Sequence, residues 1–190
     1  MTAQRSTLPA TIAPESVVVT IDTREQLPVD LSPMQSEIGT LATGDYGLKA
    51  MPHLAALERK SESDLLGCIG VERERFEREV MRLLAYPVRA IVVESTWERI
   101  EAGEWRSKVT PAAALGSLLG WAAMGIPIFM VGTHERAGQF IARILYTAAR
   151  REYRKLRGLL TPEKPQVMLA SGAYAPETLS AFSIESEAGA

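Results

Sequence analysis

An apolar run from Leu54 to Leu57 passes directly into three charged residues, Glu58, Arg59 and Lys60. The apolar part predicts a buried strand, and unpaired charge at the end of a buried strand costs free energy. Residues 58 and 60 share strand parity and point to one side of a sheet, whereas residue 59 points to the other side. The chain must therefore fold so that these charges meet partners or ligands where the strand ends.

Other acidic residues stand at comparable places. Asp22 follows a β-branched run, Glu94 ends a second apolar run, and Asp45 lies in a Gly-Asp-Tyr-Gly segment. Strand ends can converge in a sheet, and two carboxylates about 4 Å apart repel by roughly 4 kcal/mol at an effective dielectric near 20. A cation between them turns this repulsion into binding. Oxygen ligands without His or Cys suit Mg²⁺ or Mn²⁺.

Each residue also has a simpler interpretation. Gly-Asp-Tyr-Gly around Asp45 is typical of a turn, and Glu58 with Lys60 is explained by an exposed ion pair. Asp64 follows Ser61 by three positions, as in a helix capping box. The combination of acids at several strand ends favours a metal site over these separate explanations.

The order of elements predicts an α/β fold with a mixed central sheet flanked by helices. We expect strands over residues 17–21, 37–43, 54–59, 90–94 and 126–131. We expect helices over residues 61–69, 72–85, 111–124 and 133–157, with a helical turn at 97–100. Residues 1–15 are predicted to be a flexible arm, residues 16–157 one domain, and residues 158–190 a tail that is partly ordered at best.

Composition excludes several classes of protein. Of the 190 residues 46% are hydrophobic, which suits a globular domain, and no apolar run has the length of a membrane span. The single Cys68 excludes an internal disulfide and a multi-cysteine zinc site. With no signal peptide visible, we expect a cytoplasmic protein. His53 and His134 are far apart in the chain, so a histidine-based nuclease site is not expected.

The acidic pattern resembles the signature of the XPF-type structure-specific endonucleases, which is Gly-Asp, a variable gap, and Glu-Arg-Lys-x-x-x-Asp. The resemblance covers roughly residues 17–154. It implies a restriction-endonuclease-like fold and a metal-dependent endonuclease that cuts DNA near double-strand/single-strand junctions. The matching segments are Gly44-Asp45, Glu58-Arg59-Lys60-Ser61-Glu62-Ser63-Asp64, Asp22-Thr23-Arg24-Glu25, Arg75-Phe76 and Val92-Val93-Glu94.

The resemblance and the residue types together indicate which residues bind the metal and which residue positions the attacking water. We expect Asp45 and Glu58 to bind Mg²⁺ or Mn²⁺ with a backbone carbonyl near Arg59, and Asp22 to join them through water. Lys60 is expected to position the attacking water and to stabilise the developing charge.

The remaining matched residues surround this centre. Arg24 and Glu25 are expected to support the ligands, or Arg24 to contact phosphate. Arg75 is expected to bind DNA phosphate. Asp64 is expected to cap its helix and to hold Lys60. Family members often have Gln four residues after the Arg of the Arg-aromatic pair, and this chain has Glu79 there.

The resemblance also implies partners. We expect a homodimer through residues 111–124 and 133–151, against the alternative of a monomer in which these helices cover the sheet. The segment 158–190 is too short for the helix-hairpin-helix domain that usually follows, so a helper protein is expected to direct the nuclease to branched DNA. Roles in DNA repair, recombination or phage DNA processing fit, in the host cytoplasm if phage-encoded. The alternative is a catalytically silent DNA-binding scaffold.

Overall fold

Six strands form one mixed sheet in the part of the chain that the structure describes, residues 8–160 of this computed structural model. The sheet order is β2-β1-β3-β4-β5-β6, as numbered along the chain. The strands are β1 (Val18–Asp22), β2 (Gln35–Gly39), β3 (Tyr46–Leu48), β4 (Ala55–Ser61), β5 (Val88–Glu94) and β6 (Ile128–Met130). The predicted α/β class with a mixed sheet is confirmed.

Five α-helices flank the sheet. They are α1 (Glu62–Ile69), α2 (Arg73–Leu83), α3 (Trp97–Ala102), α4 (Pro111–Ala123) and α5 (His134–Leu160), and a 3-10 turn lies at Pro14–Ser16. Helices α1 to α4 contribute to the hydrophobic core on one face of the sheet, and α5 to the core on the other face. None of the helices within residues 8–160 is long and apolar enough to cross a membrane.

Strand β3 is the one antiparallel strand of the described sheet, paired to β1 on one side and to β4 on the other. Its Tyr46 lies opposite Ile21 of β1 and Leu57 of β4. The residue just before it, Asp45, donates its backbone N–H to the carbonyl of Leu57 and accepts from the N–H of Asp22, both at 2.8 Å. Strand β3 thus holds Asp45 between the carboxyl ends of β1 and β4.

Alternation along β4 assigns its charged residues to opposite faces. Ala55 and Leu57 belong to the core under α5, and Ala56 belongs to the core under α1, α2 and α4. By this parity Glu58 points toward the α2 side and Arg59 toward the α5 side. The sheet therefore separates the two charged clusters described below.

Several predicted boundaries are confirmed and others are wrong. The hydroxyl of Ser61 accepts from the N–H of Asp64 at 3.2 Å, which is the predicted helix cap. Strand β3 was not predicted, because a three-residue strand inside Gly-Asp-Tyr-Gly has the composition of a turn. Helix α5 continues through Gly158 to Leu160 instead of ending before Gly158. A glycine inside a helix costs only about 1 kcal/mol, which a long packed helix tolerates.

The described part of the predicted N-terminal arm is attached to α5. Tyr146 donates its hydroxyl to the carbonyl of Ile12 at 2.9 Å, and Tyr153 donates to the carbonyl of Pro9 at 2.7 Å. The rest of that arm, residues 1–7, and the predicted tail from residue 161 onward lie outside the described residues.

Replacing Gly44 with Ala should destabilise the fold. Gly44 has φ +76°, and a Cβ there would lie 3.1 Å from the carbonyl oxygen of Leu57. We expect a loss of about 1–3 kcal/mol in the free energy of unfolding, measured by chemical denaturation. The control is Gly67→Ala, since Gly67 lies inside α1 with open space at its Cβ and should gain about 0.5–1 kcal/mol. Equal effects of the two substitutions would contradict this account.

Candidate active site

Two carboxylates, the half-buried Asp45 and the buried Glu58, lie at the carboxyl ends of the central strands. Asp45 Oδ2 accepts the backbone N–H of Arg59 at 2.8 Å, so its side chain reaches across to β4. Glu58 is 1% exposed. Burial, and next the charge of Asp45, raise the pKa of Glu58 to about 8.

The two oxygens of Glu58 differ in their surroundings. Oε1 forms an ion pair with the ammonium group of Lys60, whereas Oε2 is buried and has no hydrogen-bond partner within the described residues. A buried carboxylate oxygen without a partner is unfavourable. A hard divalent cation is the type of ligand that would satisfy it, so the residues present fit such a cation.

The side chains do not complete a metal site by themselves. Among residues 8–160, no group of three or more His, Cys, Asp or Glu side chains is arranged to hold a metal ion. A cation at Asp45 and Glu58 would therefore take further ligands from backbone carbonyls and water, as Mg²⁺ commonly does.

The pKa of Asp45 is also shifted by its surroundings. Burial raises the pKa of Asp45 to about 6, and the charge of Lys60 and the hydrogen bond from Arg59 N–H oppose this rise. Both carboxylates thus gain stabilisation when positive charge is added beside them.

Lys60 is the cation that the fold itself supplies to this pair. Its ammonium group lies against Glu58 and 5.2 Å from the ring centre of Phe76 in α2. Burial lowers the pKa of Lys60, but the charges of Glu58 and Asp45 outweigh burial and hold the pKa above its ordinary value. Lys60 is therefore protonated at neutral pH, and it can donate hydrogen bonds but cannot accept a proton from water.

Arg59 organises the opposite side of β4. Its guanidinium donates to both carboxylate oxygens of Glu25 at 2.8 and 2.9 Å and to Glu94 at 2.7 Å. Glu94 Oε1 also lies 2.7 Å from Nδ1 of His134, the first residue of α5. Breaking one partner of such a buried network typically costs about 3–5 kcal/mol. This network holds the ends of β4 and β5 in place beside the carboxylate pair.

Asp22 was expected to reach the metal through water, but the structure gives its carboxylate other partners. Oδ1 accepts from the backbone N–H and the Nε of Arg24 at 2.9 and 2.6 Å, and Oδ2 accepts from the N–H of Leu41 at 2.7 Å. Burial raises the pKa of Asp22, but these hydrogen bonds outweigh burial and hold it below its ordinary value. Asp22 thus anchors the loop after β1.

Arg24 extends from this anchor toward the site. Its side chain is 62% exposed. The hydrogen bond to Asp22 raises the pKa of Arg24, and the charges of Glu79 and Asp45 add to the rise. Arg24 therefore lies at the mouth of the acidic cluster, where a bound anion would be accessible to it.

Two roles were expected for Asp64, capping its helix and holding Lys60, and the structure shows the capping role. Its Oδ2 accepts from the Ser61 hydroxyl at 2.7 Å, and its N–H caps α1. Lys60, which Asp64 was expected to hold, pairs with Glu58 on the strand instead.

Glu79 of α2 stands where members of the XPF-type family often have Gln, and its burial was not predicted from the sequence. It has charged neighbours in the chain, but it is only 8% exposed. Its charge raises the pKa of both Asp45 and Glu58. The available signal was spacing, since Glu79 follows the buried Phe76 by three positions and precedes the buried Leu83 by four.

Arg75 and Arg82 flank Glu79 on the same helix. Their side chains are 59% and 50% exposed, and each lies 4.0 Å from the carboxylate of Glu79. Arg75 also forms an ion pair with Glu72. With Arg24, these two residues place exposed positive charge around a buried acidic centre.

Comparisons with known proteins establish the fold of this chain. No protein-family model and no curated protein matches it. The solved structure of XPF from Aeropyrum pernix is similar, with a TM-score of 0.56 and 19% identity over 73% of this chain and 69% of that chain. XPF from Aeropyrum pernix in complex with DNA gives a TM-score of 0.55 and 18% identity over 71% and 66%. The chain therefore has the fold of these XPF structures.

The raised pKa of Glu58 predicts a pH-dependent effect of Glu58→Gln on stability. An unfolded chain loses the proton near pH 4.5, whereas the folded protein without metal keeps it to about pH 8, so stability contributed by protonated Glu58 is lost as pH rises through this window. Below pH 4.5 the wild type and the variant should unfold alike. Above pH 8 the variant should be more stable by about 1–3 kcal/mol.

Denaturant unfolding at several pH values in a chelating buffer measures this difference. Glu101→Gln, at an exposed position of α3, serves as the control and should follow the wild-type curve. A difference between Glu58→Gln and the wild type that stays constant from pH 4.5 to 9 would contradict the account.

Proposed function

We propose that this protein is a Mg²⁺- or Mn²⁺-dependent endodeoxyribonuclease that hydrolyses phosphodiester bonds at branched or flapped DNA. The observation that carries the proposal is the unpartnered buried oxygen of Glu58 beside Asp45 and a protonated Lys60. When both carboxylates are ionised, the site has one excess negative charge and one free ligand atom, which suits a divalent cation. A bound divalent cation would supply Lewis-acid polarisation of the scissile phosphate.

The chain's own residues supply the remaining functions. Asp45 and Glu58 would hold the cation, together with a backbone carbonyl near Arg59. Lys60 would orient the attacking water as a hydrogen-bond donor and stabilise the negative charge that develops on the phosphate. The proton of the water would leave to solvent or to a phosphate oxygen.

DNA would approach over the exposed cations at the rim. Arg24 and Arg75 would contact DNA phosphates, and Arg82 would add positive charge; the exposure of their side chains, 62%, 59% and 50%, supports this role. The formal net charge of −2 gives no overall attraction for DNA, so binding depends on this local group and is expected to weaken moderately with salt.

Substrate and biological role follow from the family resemblance. Cleavage near double-strand/single-strand junctions, leaving 5′-phosphate and 3′-hydroxyl ends, is the activity that the signature suggests. Within the described residues the chain offers a nuclease unit, and a helper protein would supply targeting to branched DNA. DNA repair, recombination or phage DNA processing in the cytoplasm are the corresponding roles.

Replacing Asp45 with Asn should lower the cleavage rate on the order of 100-fold or more, because a preorganised charged ligand is lost. The measurement is cleavage of labelled flap, fork and linear duplex DNA with Mn²⁺. Asp30→Asn is the matched control, since Asp30 is an exposed aspartate that caps the N–H of Ser32. The control should cut at the wild-type rate.

Two outcomes would reject the proposed activity. The first is an Asp45→Asn variant that cuts as fast as the wild type. The second is a wild type that binds all three substrates and cuts none, which would favour the scaffold. The intact Glu-Arg-Lys segment argues against the scaffold, since silent partners in the family usually lose it.

We also propose that the protein is a homodimer through residues 111–124 and 133–151. The two helices cover opposite faces of the sheet, as the monomer alternative requires, but α4 leaves part of its surface apolar and exposed. Leu119 is 60% exposed, and Gly116 and Gly120 have open space where a neighbouring helix could approach closely.

Light scattering at micromolar concentration tests the dimer. The wild type should have twice the mass of one 20.8 kDa chain, and Leu119→Glu should have the mass of one chain because it places a charge in the apolar contact. A matched substitution, Leu27→Glu at another exposed leucine, should remain dimeric. A wild type with the mass of one chain would reject the dimer.

A further inference from the structure

Helix α2 packs beside the carboxylate pair, with the ring centre of its Phe76 5.2 Å from the ammonium group of Lys60, and it carries a buried carboxylate, Glu79, that the proposed mechanism leaves without a role. Glu79 is 8% exposed, and its charge acts on Asp45 and Glu58 across the space between β4 and α2. Glu58 points into the same space, because β4 alternation turns it toward α2, and its Oε2 is buried and unpartnered.

The arginines near Glu79 do not satisfy it. Arg75 and Arg82 are each 4.0 Å away, beyond hydrogen-bond distance, and both are at least half exposed, where water screens their charge. Arg75 has a closer partner in Glu72. Neither arginine therefore forms a hydrogen bond with Glu79.

The charges of the cluster match a divalent ion. When ionised, Asp45, Glu58 and Glu79 carry three negative charges, and the ammonium group of Lys60 compensates one of them. Two negative charges remain, which one divalent cation neutralises. Without Glu79, the charges of Asp45, Glu58 and Lys60 would leave only one negative charge.

We propose that Glu79 belongs to the cation-binding site and accepts hydrogen bonds from water molecules on the cation held by Asp45 and Glu58. Contact through water is the geometry to expect, because no three acidic side chains within residues 8–160 converge closely enough to ligate one ion directly. Mg²⁺ keeps several of its waters when bound, so a carboxylate at this distance has donors to accept from. This inference rests on the proposed metal-dependent function and adds a residue to it.

Titration calorimetry with MnCl₂ in the absence of DNA tests the inference without relying on activity. The wild type should bind Mn²⁺, and Glu79→Gln should bind it about 10-fold more weakly. Losses of this size are typical when a residue that hydrogen-bonds to a metal ligand is replaced. Glu79→Asp keeps the charge on a shorter side chain and should lose less affinity than Glu79→Gln. Thermal unfolding without metal verifies that both variants are folded.

The matched control is Glu77→Gln, which removes the same charge from the same helix. Glu77 is half exposed and pairs with Arg73 at 2.9 Å on the outer side. This control should bind Mn²⁺ as the wild type does.

The outcomes separate this inference from the proposed function. A wild type that binds Mn²⁺ together with a Glu79→Gln variant of equal affinity would overturn the role of Glu79 and leave the Asp45–Glu58 site standing. Equal losses of Mn²⁺ affinity in Glu79→Gln and Glu77→Gln would overturn it too, because the affinity would then depend on the overall charge of the protein and not on the position of Glu79. A wild type that does not bind Mn²⁺ would overturn the proposed function itself.

Discussion

The repulsion between two neighbouring carboxylates, the half-buried Asp45 and the buried Glu58, is the constraint on which the rest of this site depends. Burial and mutual charge raise the pKa of both groups, and the one ammonium group nearby pairs with a single oxygen of Glu58. A fold optimised for stability alone would place apolar residues here. Retaining such a cluster is typical of a site that gains its stability when a ligand binds.

The surrounding fold serves to hold that cluster in place. The short strand β3 brings Asp45 between β1 and β4, and Gly44, in its left-handed conformation, lets the chain pass close to Leu57. On the other side of β4, the network of Arg59 with Glu25 and Glu94 ties the strand ends together. One strand thus carries a fully paired charge cluster on one face and an incompletely paired one on the other. The incompletely paired cluster is the one that we propose to bind the cation.

Much of this could be predicted from local pattern, and the failures have physical causes. Period-two alternation and helix caps located most strands and helices, and the charged strand end located Glu58 and Lys60. Asp22 also stands at the end of an apolar run. Backbone N–H groups bind its carboxylate, and the one from Leu41 belongs to a loop whose path no short pattern predicts. Glu79 stands among charged neighbours in sequence, and its spacing from Phe76 and Leu83 was the one local sign that it is buried. His134 and Glu94 are forty residues apart in the chain, so no local pattern predicts their contact.

The most direct test is an anomalous difference map from a crystal soaked in MnCl₂. The account predicts a Mn²⁺ peak within about 2.5 Å of an oxygen of Asp45 and of Glu58, with Oε2 of Glu58 as a ligand and ordered water between the ion and Glu79. A map with no peak at this pair, or with Mn²⁺ bound by Asp22 or Asp64 instead, would contradict it.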